Sequence, residues 1–151
     1  MPLATVAERL SPERLYHEFV AYRSTLGMEI LPLTGGAPPF RRLEAWLREG
    51  GLVCLLADRD LSRTSVEVTL CGRRARLPRG PAMLTRTTGA PLVPVTLHYT
   101  GPDLTVTFHA PIAHQGGPDG LVAMTQGVAD AFTGAITAHP QDWHMMQRVF
   151  G

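Results

Sequence analysis

LVCLLADRDL, residues 52–61, is the stretch on which the fold turns. An apolar run over 52–57 ends on Asp58, Arg59 and Asp60, the pattern of a buried strand that delivers charge to a cleft. Downstream, LPRGPAMLTRTTGAPLVPVTLHY (77–99) starts a helix at Arg79, Gly80 and Pro81, closes it at Gly89, and runs on into a strand over 91–99. Strand, charged loop, helix, strand is the frame.

Working outward, residues 2–10 (PLATVAERL) read as a strand or loop, with Ser11 as N-cap and Pro12 at the first helical position. Leu15, Tyr16, Phe19, Val20 and Tyr22 recur at helical spacing over 12–26, and Gly27 stops that helix. A short strand follows over 28–33, then a Gly/Pro loop over 34–39. A helix over 40–49 carries Leu43, Trp46 and Leu47 on one face and ends at Gly50 and Gly51. VEVTL (66–70) turns at Cys71 and Gly72 into a hairpin that carries Arg73, Arg74 and Arg76 outward. DLTVTFH (103–109) alternates strictly and pairs antiparallel with the strand before it across Gly101 and Pro102, giving the sheet an antiparallel edge. A last long helix over 120–138 presents Leu121, Met124, Val128, Phe132 and Ile136 together. The expectation is one α/β domain over 1–151, a mixed, mostly parallel sheet flanked by helices.

With 151 residues, 44% hydrophobic and 18% charged, the chain has the composition of a globular domain large enough to bury a core. A formal charge of +1 argues against a nucleic-acid binder. All 14 basic residues are arginines, suited to bidentate contact with phosphate and carboxylate. Cys54 and Cys71 lack metal-ligand spacing and read as buried, reduced thiols of a cytosolic compartment. No zinc-like histidine grouping occurs, so no metal is expected. Gly35 and Gly36 lack a dinucleotide or phosphate-loop setting. No apolar segment approaches the roughly 20 residues of a membrane-spanning helix.

Four collinear segments, YRSTLGMEILPLTGG (22–36), LVCLLADRDL (52–61), LPRGPAMLTRTTGAPLVPV (77–95) and HPQDWHMMQRVF (139–150), carry a resemblance. They resemble the bacterial lysophospholipid acyltransferase superfamily, in the branch of the lipid A late acyltransferases and, more closely, the actinobacterial phosphatidylinositol mannoside acyltransferases. The resemblance implies a glycerolipid acyltransferase-like fold, here incomplete. It also implies a peripheral enzyme on the cytoplasmic face of the inner membrane that moves a fatty acyl group from acyl-CoA to a hydroxyl of a phosphatidylinositol-type glycolipid, with acyl-CoA as substrate and no separate cofactor. The family's general base is a His followed after four residues by an acid, placed upstream of the region matched here. The chain is therefore expected to be the C-terminal part of a longer acyltransferase domain and to be inactive alone. His114 in HQGGPD has that spacing but sits in a Gly/Pro loop after an edge strand.

By the same resemblance Asp58 matches the acid that orients the base, Arg23 an arginine near the cleft, and Glu8 an acid near it. Two of them have a plainer alternative: Asp58 as a strand-end acid paired with Arg59 or Arg63, and Arg23 as a solvated or ion-paired helix residue. Arg59 and Asp60 either hold the loop or touch substrate phosphate. Arg79, Gly80 and Pro81 open a helix whose free amides and dipole favour an anion, substrate phosphate or oxyanion, or are simply a helix start. Arg73, Arg74, Arg76 and Arg79 read as a membrane-facing cluster or as a solvated turn. The tail with Trp143, His144, Met145, Met146 and Phe150 reaches a membrane interface or packs as a lid. Two further function classes stay open: a non-catalytic α/β module that binds a phospholipid or a partner, and a doubly wound nucleotide-binding enzyme.

Overall fold

The computed structural model describes residues 3–35, 38–60 and 64–151. The chain divides into two compact units, Met1–Leu55 and Leu56–Gly151. In the first, β1 (Leu3–Ala7), α1 (Glu13–Thr25), β2 (Met28–Pro32), α2 (Phe40–Arg48) and β3 (Leu52–Cys54) alternate. The three strands form a parallel sheet in the order β2-β1-β3. Helical crossovers make that pairing possible, since parallel neighbours need a long connection. Ala4 and Ile30 of this sheet, Tyr16 of α1 and Leu43 of α2 are the buried apolar residues among this unit's described residues.

Several boundaries differ from expectation. The run over 52–57 is not a buried inner strand. Its ladder ends at Cys54, at the sheet edge, and Leu52 and Leu56 are exposed. An apolar run of that length does not separate a central strand from an edge one, and β1 takes the centre by pairing on both sides. Helix α1 starts at Glu13, not Pro12. Pro12 keeps an extended backbone, Ser11 makes no capping bond, and the Glu13 carboxylate in the first turn suits the helix dipole instead. Cys54 is exposed and Cys71 half-buried, both as free thiols, so neither is the buried thiol expected.

Glu29 on β2 and Arg42 on α2 form a two-bond fork, Nε to Oε1 at 2.8 Å and a terminal amine to Oε2 at 2.7 Å. The same guanidinium lies 4.9 Å from the centre of the Trp46 ring. Gly51 is required here for space, because an added Cβ would meet the Trp46 indole.

Among its described residues the second unit holds two antiparallel hairpins, two α-helices and a 3-10 turn. β4 (Val66–Leu70) and β5 (Arg73–Leu77) meet through Cys71 and Gly72, whose φ values of 50° and 72° give the two-residue turn that matches strand twist. β6 (Val95–Thr100) and β7 (Asp103–Phe108) form their own two-stranded ladder rather than an edge on a larger sheet. β6 begins four residues later than expected, at Val95, because Pro91 and Pro94 cannot donate to a ladder. Leu92 and Ile112 make an isolated bridge outside it. α3 (Gly80–Thr88) ends at Gly89, in the left-handed region at φ 77°.

α4 (Gly120–Ala138) lies on the β4–β5 hairpin, and the face expected from the sequence is the one that packs. Val66, Val68, Leu70, Ala75, Leu77 and Ala129 form a buried cluster flanked by Leu121, Phe132 and Ile136. Met124 is fully buried. The Gln126 side chain clamps the outer edge of β4, accepting from the Thr69 N–H at 2.9 Å and donating to the Thr69 carbonyl at 2.9 Å. Thr133 Oγ1 accepts from the Cys71 N–H at 2.9 Å. The mixed α/β architecture thus holds, with the parallel pairing in β1 to β3 and the antiparallel pairing in two separate hairpins.

Two glycines of α4 behave oppositely. A Cβ on Gly120 would run into the Gln115 backbone carbonyl, whereas one on Gly134 meets nothing. Gly120→Ala is expected to cost about 1–3 kcal/mol by overpacking, and Gly134→Ala to add about 0.5–1 kcal/mol by helix propensity; urea titration of the two variants checks the sign of each. In the first unit, hydrogen bonds from Arg42, aided by its charge, hold the Glu29 carboxyl below its ordinary value against the opposing pull of partial burial. A depressed folded-state pKa stabilises above the unfolded value and loses that effect as pH falls through the folded one. The Tm gap between wild type and Glu29→Gln is therefore expected to be full above about pH 4.5 and to close as pH falls below it; a gap constant down to pH 3 would show that the fork contributes nothing.

Candidate functional site

Asp58 lies just past the first unit's boundary, half-buried, where the backbone bends. Its carboxylate oxygen Oδ2 accepts a hydrogen bond from Trp143 Nε1 at 3.1 Å. That donor is 85 positions away. It is placed by α4, whose C-terminal end passes through His139 into a 3-10 turn, Pro140–Asp142, directly before Trp143. Trp143 is half-buried against the β4–β5 core and meets Phe150 edge to face at 6.1 Å. Phe150 bridges back to Ala75, and the Gly151 N–H donates to the Arg74 carbonyl. The tail thus packs through Trp143 and Phe150, while Met146 is almost fully exposed.

Ala57, the residue before Asp58, lines a shallow apolar depression together with Leu77, Pro78, Pro81, Ala82, Thr125 and Val128. Pro78 and Pro81 bracket Arg79 and Gly80, so the start of α3 borders the same depression as the segment that carries Asp58. The Thr125 hydroxyl, turned back onto the Leu121 carbonyl at 2.8 Å, leaves the lining apolar. Arg79 occupies the N-cap position of α3, half-buried, with its guanidinium 3.7 Å from Met83 Sδ. Gly80 is not demanded by the protein's own packing: an added Cβ meets nothing and its φ lies outside the left-handed region. Pro81 stands in the first turn, where its missing N–H costs nothing. Arg59 and Asp60 are half-buried beside Asp58, and each makes an interaction within the fold. Arg63, the other partner considered for Asp58, lies outside the described residues, as does Gly36.

The basic residues do not gather into one free patch. Arg73 stacks over Phe150 at 4.8 Å, Arg74 pairs with Glu67 at 2.7 Å, and Arg76 donates to Ser65 Oγ at 2.7 Å. Each therefore has a structural partner on its own hairpin or tail, an arrangement that the membrane-facing and the solvated-turn readings both allow.

Glu8 and Arg23 belong to the first unit. Glu8 follows the last residue of β1, at the carboxyl end of the strand where the order reverses from β2-β1 to β1-β3. Ligands of open α/β sheets collect at that end of such a switch point. Arg23 sits in the last turn of α1 with its guanidinium 4.3 Å from the centre of the Phe19 ring. Arg9, beside Glu8, donates to the Gly35 carbonyl at 3.1 Å and to Glu13 at 2.9 Å.

Two histidines have an acid five positions on. His114 is exposed in the loop before α4, as expected. The other pair, His98 and Asp103 in HYTGPD, is one that spacing alone could have singled out. His98 lies on β6 with its ring stacked on His139 at 3.8 Å and 7°, and Asp103 opens β7 across the turn. No group of three or more metal-ligating side chains occurs among the described residues, and none of their helices is long and apolar enough to cross a membrane.

The model of the bacterial lipid A biosynthesis acyltransferases matches residues 1–151, and the chain belongs to that family. Among its relatives, the phosphatidylinositol mannoside acyltransferase of Mycobacterium tuberculosis (strain ATCC 25618 / H37Rv) is 47% identical over 144 residues, 95% of this chain and 45% of that protein. The protein of the same name from Mycolicibacterium smegmatis is 45% identical over 147 residues, 97% of this chain and 48% of that protein. The chain spans less than half the length of these relatives.

Trp143→Phe keeps an aromatic ring against the hairpin core while removing the donor to Asp58. Combined with Asp58→Asn in a double-mutant cycle, it is expected to show a coupling on the order of 1 kcal/mol, the worth of one partly buried hydrogen bond to a charge. Additive losses in urea denaturation would mean that the two side chains do not support one another.

Proposed function

We propose that this chain is the C-terminal part of an acyl-CoA-dependent O-acyltransferase that acylates a hydroxyl of a phosphatidylinositol mannoside-type glycolipid. The observation that carries the proposal is the 45–47% identity, over 95% or more of the chain, with two proteins named phosphatidylinositol mannoside acyltransferase. The reaction needs a base for the acceptor hydroxyl, a group that orients that base, and donors for the oxyanion. The acceptor oxygen attacks the thioester carbonyl as the base takes its proton. The tetrahedral intermediate then collapses, the C–S bond breaks, and the proton passes to the departing CoA thiolate.

In this reading Asp58 is a positioning residue. Its carboxylate, steadied by Trp143, holds the base histidine, supplied by sequence outside these 151 residues, in the tautomer that accepts the proton, and stabilises the imidazolium that forms. The amide end of α3, with Arg79, Gly80 and Pro81, takes the phosphate or the oxyanion, and Arg59 contacts substrate phosphate. The apolar depression receives part of the acyl chain. The space in front of Gly80 supports this use, since the fold itself makes no demand on it. Glu8 and Arg23 keep the roles their resemblance implies, an acid and a guanidinium near the cleft. Acyl-CoA is the donor substrate, no separate cofactor takes part, and the enzyme works as a peripheral protein on the cytoplasmic face of the inner membrane.

The purified 151-residue chain is expected not to transfer palmitate from palmitoyl-CoA to a mannosylated phosphatidylinositol. Turnover by it would overturn the assignment of the base to other sequence. In a longer polypeptide that holds both the base and this chain, Asp58→Asn is expected to lower kcat by on the order of 100-fold and to displace the acid limb of the kcat/KM pH profile. A loss of Tm with an unmoved pH profile would reduce Asp58 to a structural role. Specific lipid binding without turnover by that longer polypeptide would favour the non-catalytic module.

A further inference from the structure

The β6–β7 ladder is mounted with its apolar side outward. In its register Val95 faces Phe108, Leu97 faces Val106, and Tyr99 faces Leu104. Directly paired residues of an antiparallel ladder share a face, so these six side chains form one continuous apolar surface. Five of them, Leu97, Tyr99, Leu104, Val106 and Phe108, are between 46% and 74% exposed. The opposite face is polar, with Thr96, His98 and Thr100 set against Thr107, Thr105 and Asp103. That polar face is the one engaged by the rest of the unit. His98 stacks on His139, which caps the C-terminal end of α4. On the outer edge of β6, Asp142 accepts from the Tyr99 N–H at 2.9 Å. Antiparallel sheets ordinarily turn the apolar face to the core, and a contiguous exposed apolar patch marks an interaction surface.

We infer that this face seats an amphipathic helix contributed by the part of the family's length that the chain does not match. The inference rests on the proposed reading of the chain as part of a longer enzyme. Three observations select this occupant. The relatives are more than twice as long as the region they share with this chain, so a comparable length of polypeptide must pack somewhere. The ladder is six residue pairs long, roughly 20 Å, and two strands wide, which fits one helix of about 13 residues. The hairpin has Asp103 as its one formally charged residue and none of the chain's 14 arginines, which disfavours an anionic lipid surface as occupant.

The test co-expresses the 151-residue chain with the unmatched part of the Mycolicibacterium smegmatis relative and follows co-purification and amide hydrogen exchange. The expected result is a complex in which residues 95–108 gain protection. Leu97→Asp or Phe108→Asp, each on the exposed face, is expected to weaken the complex at least tenfold while leaving the Tm of the chain alone unchanged. Val122→Asp, an exposed apolar position on α4, is expected to leave the complex intact. No complex, a complex that leaves 95–108 unprotected, protection arising from self-association of the chain, or liposome binding lost in the same two variants would each overturn the inference. A complex seated on this face but without acyl transfer would sink the proposed function and leave the inference standing. Transfer by a complex that leaves the face unprotected would do the reverse.

Discussion

The packing of α4 on the β4–β5 hairpin is the constraint from which the rest of the second unit follows. Each buried side chain at that contact is worth about 1.5–3 kcal/mol, and Val66, Val68, Leu70, Ala75, Leu77 and Ala129 close together there. The two hydrogen bonds between Gln126 and Thr69 are each worth only about 0.5–1.5 kcal/mol net. Apolar burial therefore drives the contact, and the Gln126 clamp selects where along β4 the helix sits while closing an edge that would otherwise invite pairing. With α4 so placed, its C-terminal end delivers the 3-10 turn and Trp143, and Trp143 reaches the carboxylate of Asp58. A bond at the candidate site is thus the last consequence of a core contact.

The same dependence explains why the site was only partly legible. Asp58, Arg79, Gly80 and Pro81 stand at a strand-to-loop change and a helix start, and such changes of period and such punctuation are local signals. The depression that Ala57 and Pro81 line also needs Thr125 and Val128 from α4, and the donor to Asp58 comes from the far end of the chain. Spacing along the sequence holds neither fact. The arginines show the converse. Four basic residues close in sequence looked like one surface, but alternation along β5 sends Arg74 and Arg76 to one face and Arg73 to the other, where Glu67, Ser65 and Phe150 take them up separately.

In the first unit the alternation of strand and helix foretold parallel pairing, because parallel neighbours need such crossovers. The order β2-β1-β3 was not foretold. The apolar run over 52–57 suggested the central strand, yet a short run is compatible with either place. Which strand is central depends on which one finds partners on both sides. That order is also what sets Glu8 at a switch point, a position that VAERL does not announce.

What the sequence by itself determined was local: the periods of the helices, the turns at Cys71-Gly72 and Gly101-Pro102, the apolar face of α4, and the alternation along DLTVTF. These depend on backbone geometry and on neighbours a few residues away, so a short window holds them. The tertiary structure decided which face of a correctly paired ladder looks inward. Strict alternation defines two faces without saying which is covered, and in β6–β7 it is the polar face that meets α4, through His98 and His139, while Leu97, Tyr99 and Phe108 face out. Pairing in the hairpin is satisfied equally by either orientation, so the choice fell to contacts from the far end of a helix that begins only at Gly120.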